Sequence, residues 1–127
     1  MSEVAQLEKQ LEDAKELSRR REMALRLAEN RDFRELILDE YLVREAARCI
    51  QAAGDDKLTP QVRLDMVDMG KATGYLKRFL HAITTMGGTA ENDIVPLEEA
   101  IAEARLEEDR NAIDGGDLTD ERGGELA

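Results

Sequence analysis

The stretch VAQLEKQLEDA, residues 4–14, decides the fold of this chain. Its apolar residues Val4, Leu7, Leu11 and Ala14 recur at spacings of three and four, which is the a/d rhythm of a coiled-coil seam. The residues between them are mostly Glu, Lys, Gln and Asp, which suit the exposed side of a helix. We therefore predict one long helix over residues 3–28, with Val4, Leu7 and Leu11 as a contact face.

The rhythm weakens in the second half of this predicted helix. When the same spacing is continued beyond Ala14, it falls on the polar residues Ser18 and Arg21. Leu17 and Leu25 are among the apolar residues of this half. We therefore expect the apolar face to drift around the helix. Two regular heptads are too few for a long stable coiled coil, so the seam packs either on the rest of the chain or on a second copy of itself.

A second helix is predicted over residues 33–53. Asp32, with Glu35 three residues later, resembles a capping box at its start, and Gly54 followed by two aspartates is a suitable end. Its cysteine, Cys49, has no second cysteine to pair with, which excludes a disulfide within the chain and favours a small buried apolar role.

A third helix is predicted over residues 60–85. Threonine is a good cap and proline is favoured at the first helical position, so Thr59-Pro60 marks its start. Gly87-Gly88 marks its end. Inside it, Gly70 and Gly74 each cost about 0.8–1 kcal/mol relative to alanine, which indicates either a close approach by another helix or a bend.

The remainder of the chain is predicted as a linker over 89–95, a fourth helix over 96–113 opened by Pro96, and an acidic tail over 114–127. The tail contains four glycines and few apolar residues, so in isolation it cannot offset its ordering entropy. The predicted fold is all-α. It consists of a three-helix body over 1–88 with a long N-terminal helix, a fourth C-terminal helix and a flexible acidic tail.

The charge of the chain is divided unevenly along its length. Residues 1–90 carry 16 acidic and 15 basic side chains, whereas residues 91–127 carry 13 acidic and 3 basic, so the second part contributes −10 to the net charge of −11. An almost neutral helical body therefore carries an anionic C-terminal arm. This division favours a binding or structural protein over an enzyme.

Residues with catalytic or metal-binding chemistry are scarce. The single histidine, His81, has no second histidine or CxxC pair beside it, and Gly87-Gly88 is not followed by the Lys-Ser/Thr of a phosphate-binding loop. We therefore predict no catalytic, cofactor-binding or metal-binding residues and no cofactor, with His81 on a helix surface or at a helix end. No apolar run reaches the length of a membrane span, and the charged N-terminus does not resemble a signal peptide, so we expect a soluble intracellular protein.

The basic cluster Arg19-Arg20-Arg21 is interleaved with glutamates. A diluted cluster of this kind is typical of a solvated helix face, or of a docking place for the chain's own acidic arm, more than of direct DNA contact. No direct nucleic-acid partner is predicted.

The stretch RREMALRLAENRDFRELILDEYLVREAARCIQ, residues 20–51, resembles small helical proteins encoded among the head and tail genes of tailed bacteriophages. The residues that carry the resemblance are Ala24, Leu25, Asn30, Asp32, Phe33, Tyr41, Glu45, Ala46 and Arg48. It extends over roughly residues 19–110, through the proline-started helix and into the acidic C-terminus. The resemblance implies a virion or virion-assembly component. The matching residues indicate a shared fold rather than a shared chemical site.

The leading hypothesis is a non-enzymatic minor virion protein, made in the host cytoplasm and docked in several symmetric copies on a portal, connector or capsid protein with a basic surface. The alternative is a transient assembly chaperone or inhibitor whose acidic arm masks a basic surface; an enzyme is the least favoured. No membrane partner is predicted. The predicted interaction residues are Val4, Leu7, Leu11, Glu98, Glu99, Glu107, Glu108, Asp109, Asp117, Asp120, Glu121 and Glu125.

Overall fold

A computed structural model describes the backbone of residues 2–126 and the side chains of residues 2–114. This part of the chain is helical and contains no strand, which confirms the predicted all-α class. The elements are α1 (Glu3–Glu29), α2 (Arg31–Phe33), the π-helix π1 (Arg34–Glu45), α3 (Ala46–Ala53) and α4 (Pro60–Leu126). The three elements α2, π1 and α3 follow one another directly and occupy the place of the predicted second helix.

The chain divides into two compact units. The central unit comprises residues 17–89, and the terminal unit combines residues 1–16 with residues 90–127. Both α1 and α4 contribute to each unit, so each unit joins segments that are distant in sequence.

Polar side chains cap the starts of the helices. The Ser2 hydroxyl accepts a hydrogen bond from the backbone N–H of Ala5 at 3.1 Å, and the Thr59 hydroxyl accepts one from Val62 at 3.3 Å. The second helical stretch starts at Asn30, whose extended backbone lets its side-chain oxygen accept from Phe33 N–H at 2.9 Å. The predicted cap at Asp32 is therefore two residues too late, because Asn30 already satisfies the free N–H groups of the first turn.

The predicted helix end at Gly87-Gly88 is instead an interior part of α4. A Cβ atom added at Gly87 would overlap Cβ of Arg21 and lie 2.6 Å from the carbonyl oxygen of Leu17. Within the central unit, α1 and α4 thus approach more closely here than any side chain on Gly87 permits. Gly87 therefore allows the close packing of two helices and does not end α4.

The predicted linker over 89–95 and separate fourth helix over 96–113 are likewise parts of α4, and Pro96 lies inside the helix. A proline at this place removes one backbone hydrogen bond and disfavours the helix by about 3 kcal/mol. The side chains of Pro96 and of Asn92, four residues earlier, are both exposed. The missing hydrogen bond therefore lies on the solvent-facing side of the helix. The predicted boundary at residue 113 is not a helix end, because the backbone of α4 continues to Leu126. The side chains beyond Asp114 lie outside the described residues, so the flexibility of the tail over 114–127 stays a prediction.

Burial along α1 follows the a/d rhythm further than the sequence predicts. Ser18 is buried, and Leu17, Arg21 and Ala24 are half-buried, whereas Leu25 and Leu27 are exposed. The expected drift of the apolar face is therefore right for Leu17 and Ala24 and wrong for Leu25 and Leu27, while Arg21 stays on the inward side. The reason lies on α4, where two successive glycines leave room for the arginine side chain and so keep Arg21 on the inward face.

Residues four apart line the inward side of the second helical stretch. Phe33, Ile37, Tyr41 and Glu45 are half-buried, and Cys49 is 2% exposed, which confirms its predicted buried position. The i→i+5 hydrogen bonds of a π-helix widen each turn beyond 3.6 residues, so residues four apart stay in line.

Candidate interaction surface

The predicted contact residues of α1 belong to the packing of the terminal unit. Val4, Leu7 and Leu11 are half-buried, and Ala14 on the same side of the helix is buried. Nearby, the Arg105 guanidinium forms an ion pair with the Glu8 carboxylate. The role of Val4, Leu7 and Leu11 in binding another protein stays a prediction.

The predicted acidic contact residues within the described side chains all lie on the exposed surface of α4. They are Glu98, Glu99, Glu107, Glu108 and Asp109. The other four, Asp117, Asp120, Glu121 and Glu125, lie outside the described side chains. The exposed carboxylates between residues 98 and 114 outnumber their two arginines, Arg105 and Arg110, so this segment presents a negative surface.

The same segment also presents an apolar stripe that the sequence reasoning missed. Val95, Ala102, Leu106 and Ile113 are all exposed and recur at spacings of seven, four and seven. We call these four residues the outer stripe. The buried residues Ala90, Ile101 and Ala104 lie at other heptad positions. This part of α4 thus carries two apolar faces, and the spacing of the outer stripe is the signal that reveals the second.

The central unit contains an apolar groove beside α4. Its first hollow, of about 340 Å³, is lined by Ala53, Pro60, Arg63, Leu64 and Val67. Its second hollow, of about 320 Å³, is lined by Ile50, Ala53, Val67, Gly70 and Lys71. The two hollows share Ala53 and Val67, so they form one continuous surface, which we call the α3–α4 groove.

A basic side chain lines each hollow of the α3–α4 groove. Arg63 lines the first hollow and donates a hydrogen bond from Nε to the carbonyl oxygen of Ala53 at 2.9 Å, which fixes the guanidinium beside the end of α3. Lys71 lines the second hollow. An apolar floor beside two cations suits an apolar helix face with acidic flanks.

The glycine pair Gly70 and Gly74 does not mark a tight helix crossing. A Cβ atom at Gly70 would be in ordinary contact with Cβ of Cys49 at 3.6 Å, and one at Gly74 would meet nothing within 4 Å. Gly70 leaves the second hollow of the groove open, whereas the tight approach lies at Gly87.

Two residues whose side chains suit catalysis or metal binding are His81 and Cys49. His81 is exposed on α4, as predicted, with Nε2 3.5 Å from the Thr85 hydroxyl. Cys49 Sγ lies 3.9 Å from a Glu45 carboxylate oxygen. Among the described residues, no group of three histidine, cysteine or carboxylate side chains is arranged to hold a metal ion. Along the same part of the chain, no helix is both long and apolar enough to cross a membrane.

Several residues that carry the phage resemblance have structural positions in the central unit. Asn30 caps the second stretch, and Phe33 and Tyr41 lie on its inward side. Arg48 pairs with the carboxylates of Glu45 and Glu40, and Arg44 also pairs with Glu40. The matching residues thus form a helix cap, part of an inward helix face and an exposed ion-pair network.

No protein-family model matches the chain, and neither a curated protein nor a solved structure matches it.

Proposed function

We propose that this chain is a minor virion protein of a tailed bacteriophage. In this role it acts without catalysis, in several copies, docked through its helical faces and its acidic C-terminal arm on a portal, connector or capsid protein. Support comes from the phage-like sequence frame, from the separation of charge along the chain and from the surfaces of the two units.

The exposed apolar surface carries this proposal. Among the described residues, the buried apolar side chains are small apart from one isoleucine: Ala14, Cys49, Ala90, Ile101 and Ala104. By contrast, large apolar side chains are exposed on every long helix, including Leu36, Val43, Ile50, Leu64, Tyr75, Phe79, Leu106 and Ile113. Burying a Leu-sized side chain contributes about 1.5–3 kcal/mol, so neighbouring proteins can stabilise this chain considerably.

The acidic surface of α4 supports the choice of a basic partner. Glu98, Glu99, Glu107, Glu108 and Asp109 are exposed, and more carboxylates follow beyond Asp114. Opposite charges steer encounters and fix the orientation of docking more than they add raw affinity. The arm therefore directs assembly, while the apolar faces supply most of the binding energy.

Quantitative mass spectrometry of purified mature particles tests the proposal. A virion component is present at a fixed number of copies per particle and stays bound through repeated density-gradient purification. Presence only in assembly intermediates contradicts the proposal and assigns the assembly chaperone or inhibitor role instead. Particles and intermediates that both lack the protein contradict both roles.

A further inference from the structure

The α3–α4 groove and the outer stripe match each other in spacing. The two hollows follow one another along α4, because Leu64 lines only the first, Lys71 lines only the second and Val67 lines both. Leu106 and Ile113 of the outer stripe are seven residues apart. At 1.5 Å per residue, Leu64 and Lys71 are about 10 Å apart along the helix, as are Leu106 and Ile113, so two apolar side chains of one helix can reach the two neighbouring hollows.

The two surfaces also match in charge. Arg63 lines the first hollow of the groove and Lys71 lines the second. On the other surface, the exposed side chains that flank Leu106 and Ile113 carry three carboxylates and one cation, and they are Glu99, Glu103, Asp109 and Arg110. A helix laid in the groove through the outer stripe therefore places carboxylates beside the two cations.

Exposure leaves both surfaces available to a second molecule. Leu106 is 58% exposed and Ile113 is 64% exposed, while Ile50, on the rim of the second hollow, is 70% exposed. We propose that the outer stripe of one copy of this chain binds the α3–α4 groove of a second copy, with Leu106 and Ile113 seated in the two hollows. The assignment concerns contacts between copies and holds whichever larger assembly the chain joins.

The charges disfavour the simpler pairing of two outer stripes with each other. Such a contact brings Glu99, Glu103 and Asp109 of both copies into one interface with only Arg110 of each copy to offset them, and an excess of like charge at the flanks of a helix pair is repulsive. A contact between two different surfaces is heterologous. After one such contact, one copy has a free groove and the other has a free stripe, so the association continues into a closed ring or an open chain.

Two double variants separate the two surfaces. Leu106→Glu with Ile113→Glu removes the two apolar side chains that fill the hollows, and Ile50→Glu with Val67→Glu blocks the groove. All four positions are exposed, so both variants keep the helical circular dichroism of the wild type. Phe79→Glu is the matched control, because Phe79 is 61% exposed on α4 but lines neither hollow.

Sedimentation velocity of the full chain gives the readout. The wild type and Phe79→Glu are expected to grow in mass with concentration, and each double variant alone is expected to be monomeric with at least tenfold weaker association. Mixed together, the two double variants are expected to form a 1:1 complex that grows no further, since only one intact groove and one intact stripe can meet.

Three results overturn the proposal. One is a wild type that stays monomeric at every concentration. Another is a groove variant that associates like the wild type, which assigns the contact to other surfaces. The third is a mixture of the two double variants that remains monomeric. A charge exchange adds an independent check: Lys71→Glu weakens association, and Glu103→Lys with Asp109→Lys on the partner copy restores it.

Discussion

Arg21 of α1 lies against Gly87 of α4, so closely that a Cβ atom at position 87 would overlap the Cβ of the arginine. The neighbouring Gly88 leaves a further opening, where an added Cβ would lie 3.4 Å from Arg21 Nε. A long charged side chain thus occupies an inward heptad position because the facing helix presents two residues without side chains. The stem of the arginine packs along the backbone of α4.

Substituting Gly87 tests this close approach. Gly87→Ala is expected to destabilise the protein by about 1–3 kcal/mol, because the added methyl group overpacks the α1–α4 contact by more than alanine gains in helix propensity. Urea denaturation followed by circular dichroism measures the change. Gly74→Ala is the matched control, since an added Cβ there meets nothing, and it is expected to stabilise by about 0.8–1 kcal/mol. Equal stabilisation by both variants contradicts the close contact.

Pro96 offers a test of the uninterrupted α4. Because Pro96 lies inside a helix, Pro96→Ala is expected to stabilise the protein by up to about 3 kcal/mol and to raise its helical circular dichroism slightly. If Pro96 instead opened a separate helix, its missing N–H would cost nothing at that position and the substitution would leave the stability almost unchanged. Thermal denaturation of the two proteins distinguishes these cases.

Burial of Cys49 makes a prediction about thiol reactivity. The thiol is 2% exposed in the folded chain, so an alkylating reagent is expected to modify it only as fast as the central unit opens. The paired variant, Cys49→Ala with Ile50→Cys, moves the thiol by one residue to a position that is 70% exposed. It is expected to react at the rate of a free thiol. Equal rates in the two native proteins show that Cys49 is accessible.

The acidic arm makes a prediction about partner binding. Under the proposed virion role, deleting residues 114–127 is expected to leave thermal stability almost unchanged but to weaken binding to particles purified from a phage that lacks this gene. The loss should resemble that caused by added salt, because exposed charges are screened beyond about 8–10 Å at 0.1–0.15 M.

The control for this deletion keeps the length of the arm and replaces its carboxylates with amides. It is expected to bind as weakly as the truncated chain. Binding that is unchanged by either variant assigns no role to the charge of the arm.

Local rules correctly predicted the features of this fold that depend on neighbouring residues. Thr59-Pro60 starts α4, Gly54 follows α3, and the cysteine of REAARCI is buried. Each of these depends on cap chemistry or on a helical period that a short window of sequence contains. The all-α class follows from the same periodicity.

The features that the sequence did not reveal depend on contacts between distant residues. Gly87-Gly88 has the pattern of a helix stop, and only its position beside Arg21 shows that the glycines make room for α1. Pro96 likewise has the pattern of a helix start. The α3–α4 groove joins Ile50 to Lys71 across a turn, so no periodic pattern in one helix indicates it. The spacing of the outer stripe is present in the sequence, but the same helix also carries the apolar residues of its buried face, so the sequence alone does not separate the two faces.

The π-helix gives the second helical stretch a tolerance that α1 and α4 lack. In an α-helix, removing one residue rotates everything beyond it by about 100° and turns an inward face outward. The wide turns of π1 hold more residues than α-helical turns, so the loss of one residue from 34–45 can be absorbed by tightening a single turn. We therefore expect single-residue deletions to be accepted between Arg34 and Glu45 while Cys49 keeps its register, which makes this segment the place where the chain can change length without changing its interior.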